Sequence, residues 1–133
     1  MAAGRSLRQR PEDAERDISR ALTRADVRSM LGIERTGTLV MGIVNVTGDS
    51  FHAPSRAPGV DGAVALAERL IAAGADLLDL GGESTRPGAA PVGQDEERAR
   101  VVPVIRALRA RGHRLPLSVD TYKADVARAA IES

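Results

Sequence analysis

Residues 76–88 of this 133-residue chain read Asp-Leu-Leu-Asp-Leu-Gly-Gly-Glu-Ser-Thr-Arg-Pro-Gly, an apolar stretch that passes directly into a polar loop. The first part, Asp76 to Gly81, predicts a buried strand, because apolar residues fill a segment of strand length. The second part, Gly82 to Gly88, places two hydroxyls and an arginine between glycines. Packing of a buried strand does not require these groups, so we expect this strand end to carry function.

The same order of strand, polar loop and helix occurs three times, at a spacing of about 38 residues. Strands are predicted over 38–45, 76–81 and 115–120, and helices over 61–73, 95–111 and 122–132. The apolar run of the first strand predicts burial on both faces. Asp61 is predicted to cap the first of these helices. Pro103 is predicted to lie near the start of the second, where proline is tolerated better.

Repeated βα units predict an α/β protein with a parallel sheet and helices outside it. A Rossmann-like sheet and a (β/α)8 TIM barrel both fit this repeat, although the first strand-to-helix loop lacks a G-x-G-x-x-G fingerprint. Polar residues follow all three strands: Asn45, Thr47 and Asp49, then Gly82 to Arg86, then Asp120 and Thr121. Because barrel enzymes build their active sites at the carboxyl ends of the strands, this pattern favours the barrel.

A full barrel needs roughly 200 residues or more, so the chain is expected to supply only about the first three βα units. Residues 1–36 differ from the rest: they are rich in charge and alanine, and they carry a weak helical stripe. We therefore predict a helical N-terminal extension over 1–36 and the N-terminal part of a barrel over 37–133.

Composition excludes several classes of function. Net charge is +1 and aromatic residues make up 2% of the chain, which argues against a nucleic-acid partner. There is no cysteine, so thiolate zinc sites and a cysteine nucleophile are excluded. No apolar run approaches the roughly 20 residues of a membrane span, and we expect a cytoplasmic protein without a membrane partner.

Two strand ends leave alternatives open. Asn45 has an amide oxygen that suits a hard cation such as Mg²⁺, but Asn45 and its neighbours are also common turn residues. Asp120 can accept hydrogen bonds from a ring that presents N–H and amino donors, or it can cap the following helix. Asp79, inside the second strand, either holds donors of a neighbouring loop or contacts ligand.

The loop after the second strand gives the strongest functional signal. Ser84 and Thr85 supply hydroxyls, and Arg86 supplies a planar cationic fork suited to phosphate or carboxylate. Glycines on both sides allow a close approach of the backbone to a ligand. This combination of residues predicts a ligand that carries phosphate groups.

Three segments, MGIVNVTGDSF (41–51), GADLLDLGGESTRPGA (74–89) and LSVDTYKADVA (117–127), together resemble the dihydropteroate synthases. That family folds as a TIM barrel. The resemblance implies a transferase of folate biosynthesis, in which the amine of p-aminobenzoate displaces diphosphate from 6-hydroxymethyl-7,8-dihydropterin diphosphate. Small-molecule substrates are thus the expected partners, and the full-length protein is a candidate homodimer.

The resemblance also implies roles for single residues. Asn45 would be the Mg²⁺ ligand near the diphosphate, and Mg²⁺ the cofactor. Thr85, with Ser84 beside it, would bind the pterin diphosphate, and Asp120 would bind the pterin ring. The binding site for p-aminobenzoate would be formed by the loops that follow the first and second strands. Phe51 and Pro87 would be binding residues there, and Asp49 and Arg86 are candidate catalytic residues.

The first loop departs from the family pattern, which usually has proline where Gly48 stands. Counterparts of the family's later pterin-binding and phosphate-binding residues are absent from the chain, which is therefore expected to be inactive alone. Two alternatives stay open: a pterin-binding methyltransferase domain, whose first motif often reads Asn-Val-Thr-Gly, and a non-catalytic truncated remnant.

Overall fold

The computed structural model describes residues 23–34, 36–46, 59–84 and 86–133. The chain divides into two units, Met1–Arg35 and Thr36–Ser133. The described part of the first unit contains one helix, α1 (Arg24–Met30), which falls within the predicted helical extension. A capping box starts it: the Thr23 side chain accepts from Asp26 N at 3.2 Å, and the Asp26 carboxylate accepts from Thr23 N at 2.8 Å. These two bonds satisfy backbone donors that the first helical turn leaves unpaired.

The second unit contains a three-stranded parallel sheet, as predicted, and its strand order is β1-β2-β3. Its strands are β1 (Met41–Asn45), β2 (Leu77–Gly81) and β3 (Leu117–Asp120). Each strand is followed by a helix: α2 (Val60–Ala72), α3 (Gln94–Ala110) and α4 (Ala124–Ile131). Asp76 ties the starts of the first two strands together, because its carboxylate accepts from Val40 N at 2.8 Å.

The core lies between one face of the sheet and the helices. Val44, Leu78 and Leu80 project into it and are fully buried. The helices contribute apolar side chains at the predicted helical spacing, namely Val64 and Ala67 from α2, Val101, Val104, Ile105 and Leu108 from α3, and Val126 from α4. Hydrophobic burial at this single layer is what holds the strands at their observed register.

The opposite face of the sheet is not covered by a helix among the described residues. Burial alternates along β1, and Met41 and Ile43 remain 48% and 57% exposed. The prediction that the first strand is buried on both faces is therefore wrong for this part of the chain. Helices that follow consecutive parallel strands pack on the same side, and they leave the other side for different elements to cover.

Two local predictions about the helices are also wrong. Gly59, with φ 84°, is the N-cap of α2, and Asp61 lies in the first turn without capping it. Pro103 lies well inside the 17-residue α3, not near its start. It therefore removes one main-chain hydrogen bond from the helix interior. The predicted ends of these two helices at residues 73 and 111 are confirmed, because both are C-cap residues and the glycines that follow them, Gly74 and Gly112, have positive φ.

Across residues 23–34, 36–46, 59–84 and 86–133, none of the helices combines the length and the apolar character that a membrane crossing requires.

Candidate functional site

The carboxyl ends of the three strands form a single row of residues. Asn45 pairs in register with Gly81, and Gly81 pairs with Asp120. Residues paired in this way across a parallel sheet project to the same face, so both polar side chains lie on the face opposite the helices. A Cβ at Gly81 would lie 3.5 Å from Asn45 Oδ1 and 4.0 Å from Asp120 Cβ, so glycine here keeps a side chain out of the space between them.

Asp120 does not cap the helix that follows it. Lys123 is the N-cap residue of α4, and Thr121 Oγ1 accepts from Lys123 N at 3.1 Å. The Asp120 side chain is exposed and makes no hydrogen bond within the described part of the chain. Of the two alternatives that the sequence leaves open, the helix cap is therefore excluded, and the carboxylate remains available as an acceptor for a ligand.

Asp79 lies one layer deeper on the same face, in register with Ile43 and Ser118. It is half-buried, and its side chain makes no hydrogen bond with the residues that the structure describes. The structural alternative, in which the carboxylate holds donors of a neighbouring loop, is not observed among these residues. Its carboxylate instead faces the side of the sheet that carries Asn45 and Asp120.

The loop after β2 begins with a close contact between backbone and helix. A Cβ at Gly82 would lie 2.7 Å from Glu97 Cγ and 2.9 Å from Val101 Cγ2, so only glycine lets α3 approach this far. Arg100 Nη1 donates to the Gly82 carbonyl at 2.9 Å. The second glycine of the motif is therefore a packing residue, whereas Gly81 lies beside the polar row.

Further along this loop the chain turns at the predicted ligand-binding residues. Arg86 N donates to Ser84 Oγ at 3.4 Å, and Ala89 N donates to the Arg86 carbonyl at 3.1 Å. Arg86 and Pro87 are exposed and Ser84 is half-buried. The Arg86 guanidinium forms no ion pair or hydrogen bond in the described segments, so it is accessible to an anionic ligand.

A cluster of charges joins this loop to the end of the third strand. Lys123 Nζ donates to both Glu83 and Glu97. The Tyr122 hydroxyl donates to Glu83 Oε1 at 3.3 Å and Oε2 at 3.2 Å, and the Tyr122 ring centroid lies 4.1 Å from Lys123 Nζ. The exposed fractions of the Lys123, Glu83 and Glu97 side chains are 12%, 18% and 1%. We call these four residues the Lys123 cluster.

Within this cluster, the pKa values of Glu83 and Lys123 both shift in the direction that favours the charged forms. The hydrogen bond from Lys123 lowers the pKa of the Glu83 carboxyl below its usual range, against the opposing effect of burial. Burial lowers the pKa of Lys123, but the hydrogen bonds to Glu83 and Glu97 outweigh it and raise that pKa above its usual value. Glu83 and Lys123 are therefore both charged at neutral pH.

The donor set fits a magnesium ion that has few protein ligands. No group of three or more His, Cys, Asp or Glu side chains suited to a metal occurs in the described segments. Mg²⁺ often keeps several waters and binds one or two protein oxygens together with substrate phosphates. The exposed Asn45, whose Oδ1 is directed towards the space beside Gly81, can supply one such oxygen. Asp49, Phe51 and Thr85 lie outside the described residues.

The sequence profile of the family described as "pterin binding enzyme" matches residues 41–133. The chain belongs to the pterin-binding enzyme family. This match contains β1, β2 and β3 and the polar row at their ends, so the site lies within the part of the chain that defines the family.

This chain is similar to several dihydropteroate synthases. The dihydropteroate synthase of Bacillus subtilis is 50% identical over 96 residues, which is 72% of this chain and 33% of that protein. The structure of the Xanthomonas albilineans dihydropteroate synthase with 4-aminobenzoic acid matches with a TM-score of 0.64 and 57% identity, over 71% of this chain and 35% of that one. The Burkholderia cenocepacia dihydropteroate synthase, complexed with 7,8-dihydropteroate, matches with a TM-score of 0.59 and 56% identity, over 74% and 30%.

These comparisons confirm the resemblance stated from the three motifs and the α/β fold with a parallel sheet. The chain spans about a third of the length of the relatives it matches.

No sequence motif predicts the Lys123 cluster, because its four residues come from three separate segments. One signal was present: Lys123 is the single lysine among 19 lysine and arginine residues, and it lies three residues after the end of a strand. Likewise His113, which looks like an ordinary loop residue, lies with Nε2 3.3 Å from Glu68 Oε1.

Proposed function

We propose that this chain is the N-terminal part of a dihydropteroate synthase and forms the first three βα units of a (β/α)8 barrel. The proposed reaction joins p-aminobenzoate to 6-hydroxymethyl-7,8-dihydropterin diphosphate, which yields 7,8-dihydropteroate and diphosphate. The observation that carries the proposal is the row of Asn45, Gly81 and Asp120 at the carboxyl ends of three parallel strands. In barrels this edge is where substrates bind.

The pterin ring would bind at Asp120. A carboxylate that neither caps a helix nor pairs with a neighbour can accept two hydrogen bonds from ring N–H and amino groups. Gly81 leaves room beside it for a flat ring. The structure of the Burkholderia cenocepacia enzyme complexed with 7,8-dihydropteroate supports this choice of ligand.

The diphosphate and the second substrate would bind at the loop after β2. Ser84 and Thr85 would contact the pterin diphosphate, and the exposed Arg86 would attract an anionic group of a substrate. Arg86 and Pro87, together with Asp49 and Phe51 of the first loop, would surround p-aminobenzoate. The structure of the Xanthomonas albilineans enzyme with 4-aminobenzoic acid supports this part of the proposal.

Asn45 is the proposed Mg²⁺ ligand. When bound, Mg²⁺ supplies positive charge that neutralises the negative charge developing on the leaving diphosphate. The protein's own contribution is to place the amine of p-aminobenzoate in line with the pterin methylene and to surround the diphosphate with donors. We further propose that the full-length protein is cytoplasmic and forms a homodimer.

A fusion protein tests the proposal. In this fusion, called here the completed barrel, the C-terminal part of the Bacillus subtilis dihydropteroate synthase continues the chain after Ser133. We expect dihydropteroate formation from both substrates in the presence of Mg²⁺. A folded completed barrel that binds pterin diphosphate but forms no dihydropteroate would contradict the proposal.

The same protein separates the alternatives. A pterin-binding methyltransferase would bind methyl-tetrahydrofolate more tightly than pterin diphosphate in calorimetric titrations. A non-catalytic remnant would bind neither ligand, and Asn45→Ala would then change no measured constant. For a synthase, Asn45→Ala should weaken the dependence of the rate on Mg²⁺ concentration.

A further inference from the structure

The Lys123 cluster lies where three segments meet. Glu83 belongs to the loop after β2, Glu97 to the first turn of α3, and Lys123 to the connection between β3 and α4. The single ammonium therefore joins the loop that carries Ser84 and Arg86 to the strand end that carries Asp120. Sequence separation is large, 40 residues to Glu83 and 26 to Glu97, so the contact depends on the tertiary fold.

Glu83 is held more firmly than a surface carboxylate. Both its oxygens accept from the Tyr122 hydroxyl, one also accepts from Lys123, and the side chain is only 18% exposed. The residue before it is fixed as well, because Gly82 packs against Glu97 and its carbonyl accepts from Arg100. The first two residues of the loop are thus anchored, and the exposed Arg86 lies three residues beyond the anchor.

Stability alone does not explain this arrangement. Burial of a charged group costs free energy, and apolar side chains of similar size often stabilise a fold as well or better. Glu97 Oε1 is buried and has no hydrogen-bond partner in the described part of the chain, which adds to that cost. A charged cluster does, however, fix one geometry, because the ammonium must meet two separate carboxylates at hydrogen-bonding distance.

We propose that Lys123 is a positioning residue, which holds Glu83 and its described loop neighbours Ser84 and Arg86 at a fixed separation from Asp120 and so aligns the two substrates. This inference rests on the proposed function. Lys123 itself touches neither substrate and acts through Glu83 and Glu97. Its removal should let the loop move relative to the pterin-binding strand end, which weakens capture of p-aminobenzoate and slows the reaction more than it weakens pterin binding.

Three variants of the completed barrel test the proposal. Lys123→Met removes the charge and keeps most of the length, and Lys123→Arg restores the charge and the donors. The control is Arg111→Met, because Arg111 also links two segments through an ion pair, with Nη1 3.1 Å from both Glu68 oxygens. That pair lies after the C-terminus of α3, at the opposite end of the helix from the Lys123 cluster.

For Lys123→Met we expect kcat/KM for p-aminobenzoate to fall about 10- to 100-fold, with both a higher KM and a lower kcat. The dissociation constant for pterin diphosphate should rise by a smaller factor, because Asp120 stays held by the sheet and only the contacts of Ser84 and Thr85 with this substrate are loosened. Lys123→Arg should recover most of the loss, and Arg111→Met should leave all constants close to the parent. Equal losses in both substrates, or no rescue by arginine, would overturn the proposal.

A second measurement does not depend on turnover. Hydrogen exchange at the amides of Glu83, Ser84 and Arg86 should become faster in Lys123→Met, with the amides of β2 unchanged. The NMR signal of the Lys123 ammonium, identified by its loss in Lys123→Met, should shift in Glu83→Gln. A completed barrel without activity would refute the proposed function but not the positioning role. Unchanged hydrogen exchange in the loop of Lys123→Met would refute the positioning role but not the proposed function.

Discussion

Asn45 and Asp120 lie in one row across the carboxyl ends of the strands, and each is paired in register with Gly81. Two strand spacings separate their Cα atoms by about 10 Å. Glycine at the middle position leaves the space between them free of a side chain. In the proposed synthase, this spacing lets one residue bind the metal side of the substrate while the other binds its ring.

Substitution of Asp120 should weaken binding of the first substrate. In the completed barrel, Asp120→Ala leaves donors of the pterin ring unpaired, at a cost of about 1–3 kcal/mol for each group. Calorimetric titration with pterin diphosphate measures that loss. Normal affinity in this variant would mean that Asp120 does not contact the pterin.

Substitution of Arg86 should act on a different step. The guanidinium lies on an exposed, glycine-flanked loop, so Arg86→Ala in the completed barrel should reduce turnover or the use of p-aminobenzoate more than pterin binding. Steady-state kinetics combined with the same titration separates the two effects. The assignment is wrong if Arg86→Ala alone abolishes pterin binding.

The 133-residue chain should show no measurable synthase activity. Correct placement of both substrates supplies much of the rate enhancement in such a reaction, and three strand ends contribute only part of the site. A steady-state assay of the purified chain with both substrates and Mg²⁺ gives the answer. Robust formation of dihydropteroate by this chain would disprove the expectation.

The same chain should associate with itself. One face of the sheet exposes Met41 and Ile43, and the outer edges of β1 and β3, which no described strand pairs with, can pair with other copies. Ile43→Thr should reduce the mass measured by light scattering with little loss of stability. The matched control is Leu78→Ala on the buried face, which should cost about 2–5 kcal/mol in the free energy of unfolding and not reduce association. A monomeric parent with sharp, dispersed NMR signals would count against the prediction.

Two charged groups predict how stability depends on pH. The lowered pKa of Glu83 means that its contribution is present above the ordinary glutamate pKa of about 4.3 and disappears as the pH falls further. The raised pKa of Lys123 means that its contribution persists below the ordinary lysine value of about 10.4 and disappears only as the pH rises through the shifted pKa. In Lys123→Met, the free energy of unfolding should therefore fall less between about pH 5 and pH 3 than it does in the parent. Denaturant unfolding at several pH values in this range measures the difference. The same dependence of the free energy of unfolding on pH in the parent and in Lys123→Met would show that the two charges are not coupled.

The sequence alone determined the alternation of strands and helices. The apolar runs at Asp76–Gly81 and Leu115–Asp120 and the glycines at 74 and 112 act locally, through burial and backbone conformation, so they are readable without a structure. The three motifs also carried the family, which the similarity to dihydropteroate synthases confirms. The predicted roles of Asp49, Phe51 and Thr85 stay predictions.

Tertiary structure alone decided which residues meet. The separate roles of Gly81 and Gly82 depend on what faces each Cβ direction, which is the polar row in one case and α3 in the other. The choice between a helix cap and a free carboxylate at Asp120 depended on where α4 begins. The Lys123 cluster joins residues 26 and 40 positions apart, and no local pattern encodes such a contact, because it forms only when parallel strands bring their ends together.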